Sequence, residues 1–204
     1  MARQVQDQVR PKFSVIATDY EKHVNRNNMV KGLRSLADQG FKDFELVIVH
    51  DGPKEVPYEQ EVDFEVMGLN PVILNTPERM NNWGHSSRDL GMRNASGQYY
   101  IQFNIDNRFV PYAFGVISDK LDAVEEDIVI FQVNHWKAAG GHPFRGIPPK
   151  HCFIDCMQLV ASAEIWKEIG YWYRTEGTSD GLIYEDMCNR YPWSELPMLL
   201  GENF

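Results

Sequence analysis

The sequence predicts a single layered α/β domain with a mostly parallel central sheet. Two apolar, β-branched runs, "FSVIAT" (13–18) and "FELVIVHDGP" (44–53), flank one helical stripe. Strand, helix and strand in that order form a βαβ unit, which demands parallel strands and helices packed on the sheet. A content of 43% hydrophobic and 12% aromatic residues in 204 supplies the core such a domain needs. One domain is expected over residues 1–204.

The elements follow in order. "FSVIAT" lacks polar alternation and reads as a strand buried on both faces. "NRNNMVKGLRSLADQG" places Met29, Val30, Leu33, Leu36 and Ala37 on one helical stripe, with Asn residues to cap its start and Gly40 at its end. The second strand stops at a Gly-Pro turn. "VILN" (72–75) reads as a short strand. "SSRDLGMRNASG" reads as a helix capped by Ser86 or Ser87 and stopped by Gly97. "QYYIQFN" and "DIVIFQV" (127–133) are further strands, with the helix "YAFGVISDKLDAV" between them. The Gly- and Pro-rich stretch 137–151 reads as a mobile loop, its Lys137, Arg145 and Lys150 able to cover an anion. "MQLVAS" and "AEIWKEIG" close the pattern as strand and helix.

Charge and composition narrow the function. A net charge of −9 disfavours a general nucleic-acid binder, which needs a basic face. Three cysteines, Cys152, Cys156 and Cys188, make no disulfide framework and suit a reducing compartment. No apolar run reaches the roughly 18 residues of a membrane span, and the polar N-terminus has no signal-peptide core. A cytoplasmic location is expected. His151, Cys152 and Cys156 lack a second ligand pair at zinc spacing and read as ordinary buried thiols with a neighbouring His. Gly-x-Gly-x-x-Gly, Walker and Gly-x-Ser-x-Gly motifs are missing, which removes the usual dinucleotide, P-loop and hydrolase readings.

Open α/β sheets bind ligands at the carboxyl ends of their parallel strands. Here three strands end in Thr18-Asp19-Tyr20, His50-Asp51-Gly52 and Asn104-Ile105-Asp106-Asn107, bringing carboxylates to one edge. Any one of them would serve as a turn cap; three together favour a site.

These residues also carry a resemblance. "FSVIATDYEK", "LRSLADQGFKDFELVIVHDGP" and "GHSSRDLGMRNASGQYYIQFNIDN" resemble, in order and spacing, the family 2 glycosyltransferases of the GT-A fold. The likeness covers about residues 12–111. "CFIDCMQLVASAEIWKEIGYW" and "IYEDMCNRY" match more weakly. The resemblance implies a GT-A three-layer sandwich, with residues 12–111 as the nucleotide-sugar half and 112–204 as the acceptor half. It implies a metal-dependent, inverting transfer of a sugar from a nucleotide-diphosphate donor, UDP-linked by preference, to a hydroxyl of a glycan acceptor.

Residue by residue, the resemblance implies that Thr18 and Tyr20 close over the nucleobase, with the ring stacking on it. Asp51 would accept a hydrogen bond from the base, and Arg88 would lie near the nucleotide. Asp106 would hold the Mn²⁺ or Mg²⁺ that bridges the diphosphate, and Asp186, expected at a helix start beside Glu185, would be the base. The chain departs from the family pattern at His50, at Glu21, at Asp89 and at Asn104, which stands for the first acid of Asp-x-Asp. Asn104 still offers a carbonyl oxygen to a cation or a ribose hydroxyl, without charge, so weakened metal binding is expected. The five tryptophans are expected mostly in core or pocket wall, with Trp136 and Trp172, near loops, also able to stack on a sugar face. Two rival readings remain: a catalytically inactive sugar-nucleotide or glycan-binding module, and a nucleotidyltransferase, which needs a glycine-rich basic loop that "TDYEKHVN" lacks.

Overall fold

The computed structural model describes residues 10–20, 25–136 and 142–204. Glu21 and Lys137 lie outside the described residues, as does the first part of the 137–151 loop. Four strands form the expected parallel half: β1 (Phe13–Asp19), β2 (Phe44–His50), β3 (Val72–Asn75) and β4 (Tyr99–Asn104), in the order β3-β2-β1-β4. Their registers are parallel throughout, with Thr18 beside Val49 on one side and Asn104 on the other.

Beyond β4 the sheet is mixed. β8 (Leu159–Ser162) runs antiparallel between β4 and β6 (Ile128–His135), and β9 (Ser194–Asn203) then pairs parallel with β6. The short strands β5 (Arg108–Phe109) and β7 (Pro143–Phe144) pair antiparallel with β9 and β6. The expectation of a mostly parallel sheet therefore holds for the first half only; among the described residues the strand pairings divide evenly between the two senses. β9 escapes the sequence reading because Pro197 and Gly201 interrupt its pattern and two register shifts break its pairing with β6.

Helices cover both faces of the sheet. On one side lie α1 (Arg26–Ala37) and α4 (Ala113–Ala123), whose Met29, Leu33, Leu36, Phe114 and Ile117 join Val15, Ala17 and Phe103 in one core. On the other lie α3 (His85–Asn94), α5 (Ala163–Ile169) and α6 (Ser179–Arg190), whose Met92, Trp166, Tyr184 and Met187 pack on Ile16, Val47 and Leu159. The short helix α2 (Phe64–Met67) precedes β3, its Phe64 and Met67 packed against the α1-side core. Each fully buried aliphatic side chain contributes about 1.5–3 kcal/mol, so these two cores fix the three layers.

Local signals behaved unevenly. Asn25 caps α1 as expected, its side chain accepting from Asn27 N at 2.9 Å, although the helix ends at Ala37, before Gly40. α3 begins one residue before the serines expected to cap it. Gly84, at φ +80°, takes the N-cap position without a side-chain bond, and Ser87 is wholly buried. Gly32 of α1 has a tertiary reason to be glycine. A Cβ there would stand 2.1 Å from the Ile105 carbonyl oxygen and 2.8 Å from that of Asn107. The helix thus lies against the turn that carries Asp106.

Candidate active site

Strand alternation decides which side chains share a face. Ile16 and Tyr100 point to the α3 side, so Thr18 and Asn104 follow them there, while Val15, Ala17 and Phe103 face α1. Asp19 consequently turns away from Thr18 and accepts a hydrogen bond from Tyr58 on the α1 side. The strand ends share one edge, as expected, but Asp19 and Asp51 serve opposite faces.

Arg88 is the hub of the α3 face. It is only 3% exposed, and its Nη1 donates to the Trp83 carbonyl at 2.8 Å. Its Nη2 donates to Asn104 Oδ1 at 2.6 Å and approaches Cys156 Sγ at 3.6 Å, and the guanidinium lies 5.1 Å from the Trp172 ring centre. Thr18 Oγ1 donates to the same Asn104 oxygen at 3.2 Å. The Asn104 carbonyl oxygen, expected to meet a cation or a ribose hydroxyl, here accepts from Arg88 and Thr18. A guanidinium can only donate, so the amide must turn its oxygen inward. No carboxylate among the described residues forms an ion pair with Arg88, and its buried Nε has no hydrogen-bond partner. A buried cation in that condition suits an anionic ligand nearby.

Loop 76–84 is clamped to the strand ends. Asp51, 2% exposed, accepts from the backbone N–H groups of Met80 (2.9 Å) and Asn81 (3.0 Å). Tyr20 OH donates to Asn81 Oδ1 at 2.9 Å, and the Arg79 guanidinium sits 4.6 Å from the Tyr20 ring centre. Two of the three residues expected at a nucleobase, Tyr20 and Asp51, thus also hold this loop, and Arg79 covers one face of the Tyr20 ring. Sequence reasoning missed Arg79, because nothing in its own neighbourhood shows that the chain folds back over β1.

Asp106 is half-buried in the turn after β4. The next residue, Asn107, donates to Met157 Sδ at 3.3 Å, which seats that turn on the 3₁₀ turn Cys156–Gln158. Just before it, Asp155 is held in place by the Met157 N–H (3.0 Å) and by Asn203 Nδ2 (2.6 Å), with His135 Nε2 at 3.4 Å. Although burial opposes its charge, these donors hold its carboxyl below the usual range.

The largest correction concerns Asp186. Helix α6 starts at Ser179, so Asp186 lies about two turns inside it rather than at its start. Its carboxylate is 45% exposed, accepting from Tyr173 OH at 3.1 Å and 3.6 Å from Arg190 Nη1. The acid in the first turn is Asp180. Its ligating oxygen lies within 4.8 Å of candidate ligand atoms of Asp155 and Cys156. Burial and the Asp155 charge raise its pKa against the pull of Arg88. "SDGLIYEDM" contains both acids, and only the true helix start distinguishes them.

A buried aromatic stack fixes that helix start. Trp172 lies between His85 (5.7 Å) and Trp166 (5.8 Å), nearly parallel to both. Trp172 Nε1 donates to Ser179 Oγ at 3.1 Å, and Ser179 Oγ is 3.1 Å from His85 Nε2. Burial and Arg88 lower the His85 pKa to about 4, so the ring is neutral at neutral pH. Trp172 is 3% exposed, in the core rather than free to stack on a sugar, whereas Trp83 and Trp136 are exposed. Cys156 is buried and its thiol pushed well up by burial, while Cys152 is exposed, against the expectation that it is buried.

Residues 14–179 match the model of glycosyl transferase family 2. The chain belongs to that family. The match ends one residue before Asp180. No curated protein matches the chain. Among solved structures, S. aureus TarS superposes with a TM-score of 0.77 at 17% identity, covering 94% of this chain and 36% of TarS. TarS residues 1–349 with UDP-GlcNAc gives 0.74 at 18% identity, covering 94% and 58%. The mannosyltransferase PcManGT from Pyrobaculum calidifontis, with GDP-Man and Mn²⁺, gives 0.70 at 13%, covering 96% and 57%. At these identities the likeness establishes the GT-A-like fold, and the chain spans between about a third and three fifths of these structures' lengths.

Proposed function

We propose that the protein transfers a sugar from a nucleotide-diphosphate donor, UDP-linked by preference, to a hydroxyl of a glycan acceptor with inversion. Family membership and the UDP-GlcNAc complex of TarS support the donor class. The observation that carries the reading is the junction of Thr18, Asn104 and unpaired, buried Arg88, electrostatically linked to Asp180. It joins a place for an anionic donor to a carboxylate able to accept a proton.

Asp180, rather than Asp186, is our choice of base. A general base works best when its pKa approaches the operating pH, and burial moves Asp180 in that direction. The base takes the acceptor hydroxyl's proton as the oxygen attacks the anomeric carbon and the bond to the donor phosphate breaks. A single displacement of this kind inverts the anomeric centre. Tyr20 and Asp51 receive the nucleobase, Asp51 through oxygen lone pairs beyond those used by Met80 and Asn81. Thr18 and Arg88 act as positioning residues that hold the end of β4.

Mn²⁺ or Mg²⁺ would suit hard oxygen donors: Asp106 as the ligand in the turn after β4, with the Asp155 and Asp180 carboxylates, on the 3₁₀ turn and on α6, within 4.8 Å of each other. The protonated Cys156 thiol does not suit either ion. Such a cation, when bound, neutralises charge on the departing diphosphate.

Release of the matching nucleoside diphosphate from UDP-, GDP- and dTDP-sugars with Mn²⁺ tests the reading. Asp106→Ala and Asp180→Asn should each abolish most turnover, and turnover indifferent to both would sink the site. Binding of UDP without turnover of any donor would favour the inactive binding module.

A further inference from the structure

Trp83 occupies an unusual position in the clamped loop. Its side chain is 70% exposed, and its backbone has φ +56°. For a residue with a Cβ the left-handed region costs about 1–2 kcal/mol, and an exposed indole gains little from burial in return. The position is nevertheless held firmly. Its carbonyl accepts from Arg88 Nη1, and its ring lies against Gly177, where an added Cβ would stand 3.4 Å from Cζ2. The His85 ring is 6.4 Å away.

These contacts place the indole at one end of the site. Loop 76–84 has two ends: Arg79 covers Tyr20 at the nucleobase end, and Trp83 stands beside Gly177 at the other. Gly177 lies three residues before Asp180, on the segment that Ser179, His85 and Trp172 pin. The indole therefore stands beside the segment that leads into the base, where an acceptor hydroxyl must come.

We propose that Trp83 is the platform for the acceptor, and that the acceptor presents a ring-form sugar rather than an acyclic polyol. A pyranose has one face of C–H groups that can lie flat on an indole, whereas a polyol has no fixed apolar face. The inference rests on the transferase reading, because it takes Asp180 as the base.

Tryptophan fluorescence can report it, because Trp166 and Trp172 are buried and Trp83 and Trp136 are the two exposed indoles. The UDP-saturated protein is titrated with cellobiose and chitobiose, and with ribitol and glycerol as controls. A saccharide-dependent change is expected in the wild type and in Trp136→Phe, with none in Trp83→Ala. A thermal melt confirms that the exposed Trp83→Ala site still folds. In transfer assays Trp83→Ala should raise the acceptor KM about tenfold, and Trp83→Phe should recover most of it, about 1.4 kcal/mol per tenfold step. A change that persists in Trp83→Ala, an equal response to ribitol, or no response in the wild type each overturns the proposal. Calorimetry with UDP separates the two levels: absent UDP binding sinks the transferase reading, and UDP binding without a saccharide effect sinks this inference alone.

Discussion

The two halves of the sheet present their polar residues by different means. In the parallel half, Thr18, Asp51 and Asn104 stand at strand ends, where the period of two fixes the face each side chain meets. In the mixed half, Asp155 and Cys156 sit on a capped 3₁₀ turn and Asp180 on the first turn of α6. There the face depends on where the turn begins, and that start is set by contacts with other elements. One side of the site is therefore built by strand register and the other by packing.

The largest expected effect tests the packed side. Asp180→Asn should lower kcat about 10³-fold, within the range for loss of a general base, while Asp186→Asn stays within about twofold. The reverse pattern would return the base to Asp186 and show that the stack around Ser179 does not position it.

The second prediction concerns the strand-built side. Gly32→Ala puts a Cβ 2.1 Å from the Ile105 carbonyl, so α1 and the turn carrying Asp106 must separate. A loss of about 2–3 kcal/mol in urea unfolding is expected, with weaker Mn²⁺ binding. Gly115→Ala, in α4 with nothing within 4 Å, should instead add up to about 1 kcal/mol. Equal effects at the two glycines would mean that α1 does not constrain the turn.

The third prediction uses pH. His85 has its pKa lowered to about 4 from 6.5 in the unfolded chain, so the unfolded state binds the proton first as pH falls. Stability should therefore drop between pH 6.5 and about 4, and His85→Gln should flatten that part of the Tm profile. A profile unchanged by the substitution would detach His85 from the stack.

The smallest effect is conformational. At φ +56°, Trp83→Gly should be more stable than Trp83→Ala by about 1 kcal/mol, since only glycine takes that backbone freely. If alanine proves the more stable, the strain assigned to position 83 is absent.

Legibility followed the same division. β1, β2 and β4 could be read with their site residues because continuous apolar runs end at polar residues, a local signal. The failures share one cause. Asp186 was expected at a helix start, but α6 begins at Ser179 with no side-chain cap to mark that start. The capping serines of α3 lost to Gly84, whose left-handed turn lets loop 76–84 close on Thr18 and Arg88. Trp172 is buried and Trp83 exposed because burial depends on partners far along the chain.

By itself the sequence determined the α/β class, the parallel βαβ start, the polar strand ends and the family likeness, since each rests on periodicity and on residues close in the chain. Tertiary structure alone decided the mixed second half of the sheet, the inward turn of Asn104 toward Arg88 and the nearness of Asp180 to Asp155. Those depend on contacts such as Arg88 with Cys156, 68 residues apart, and no local pattern encodes a contact at that separation.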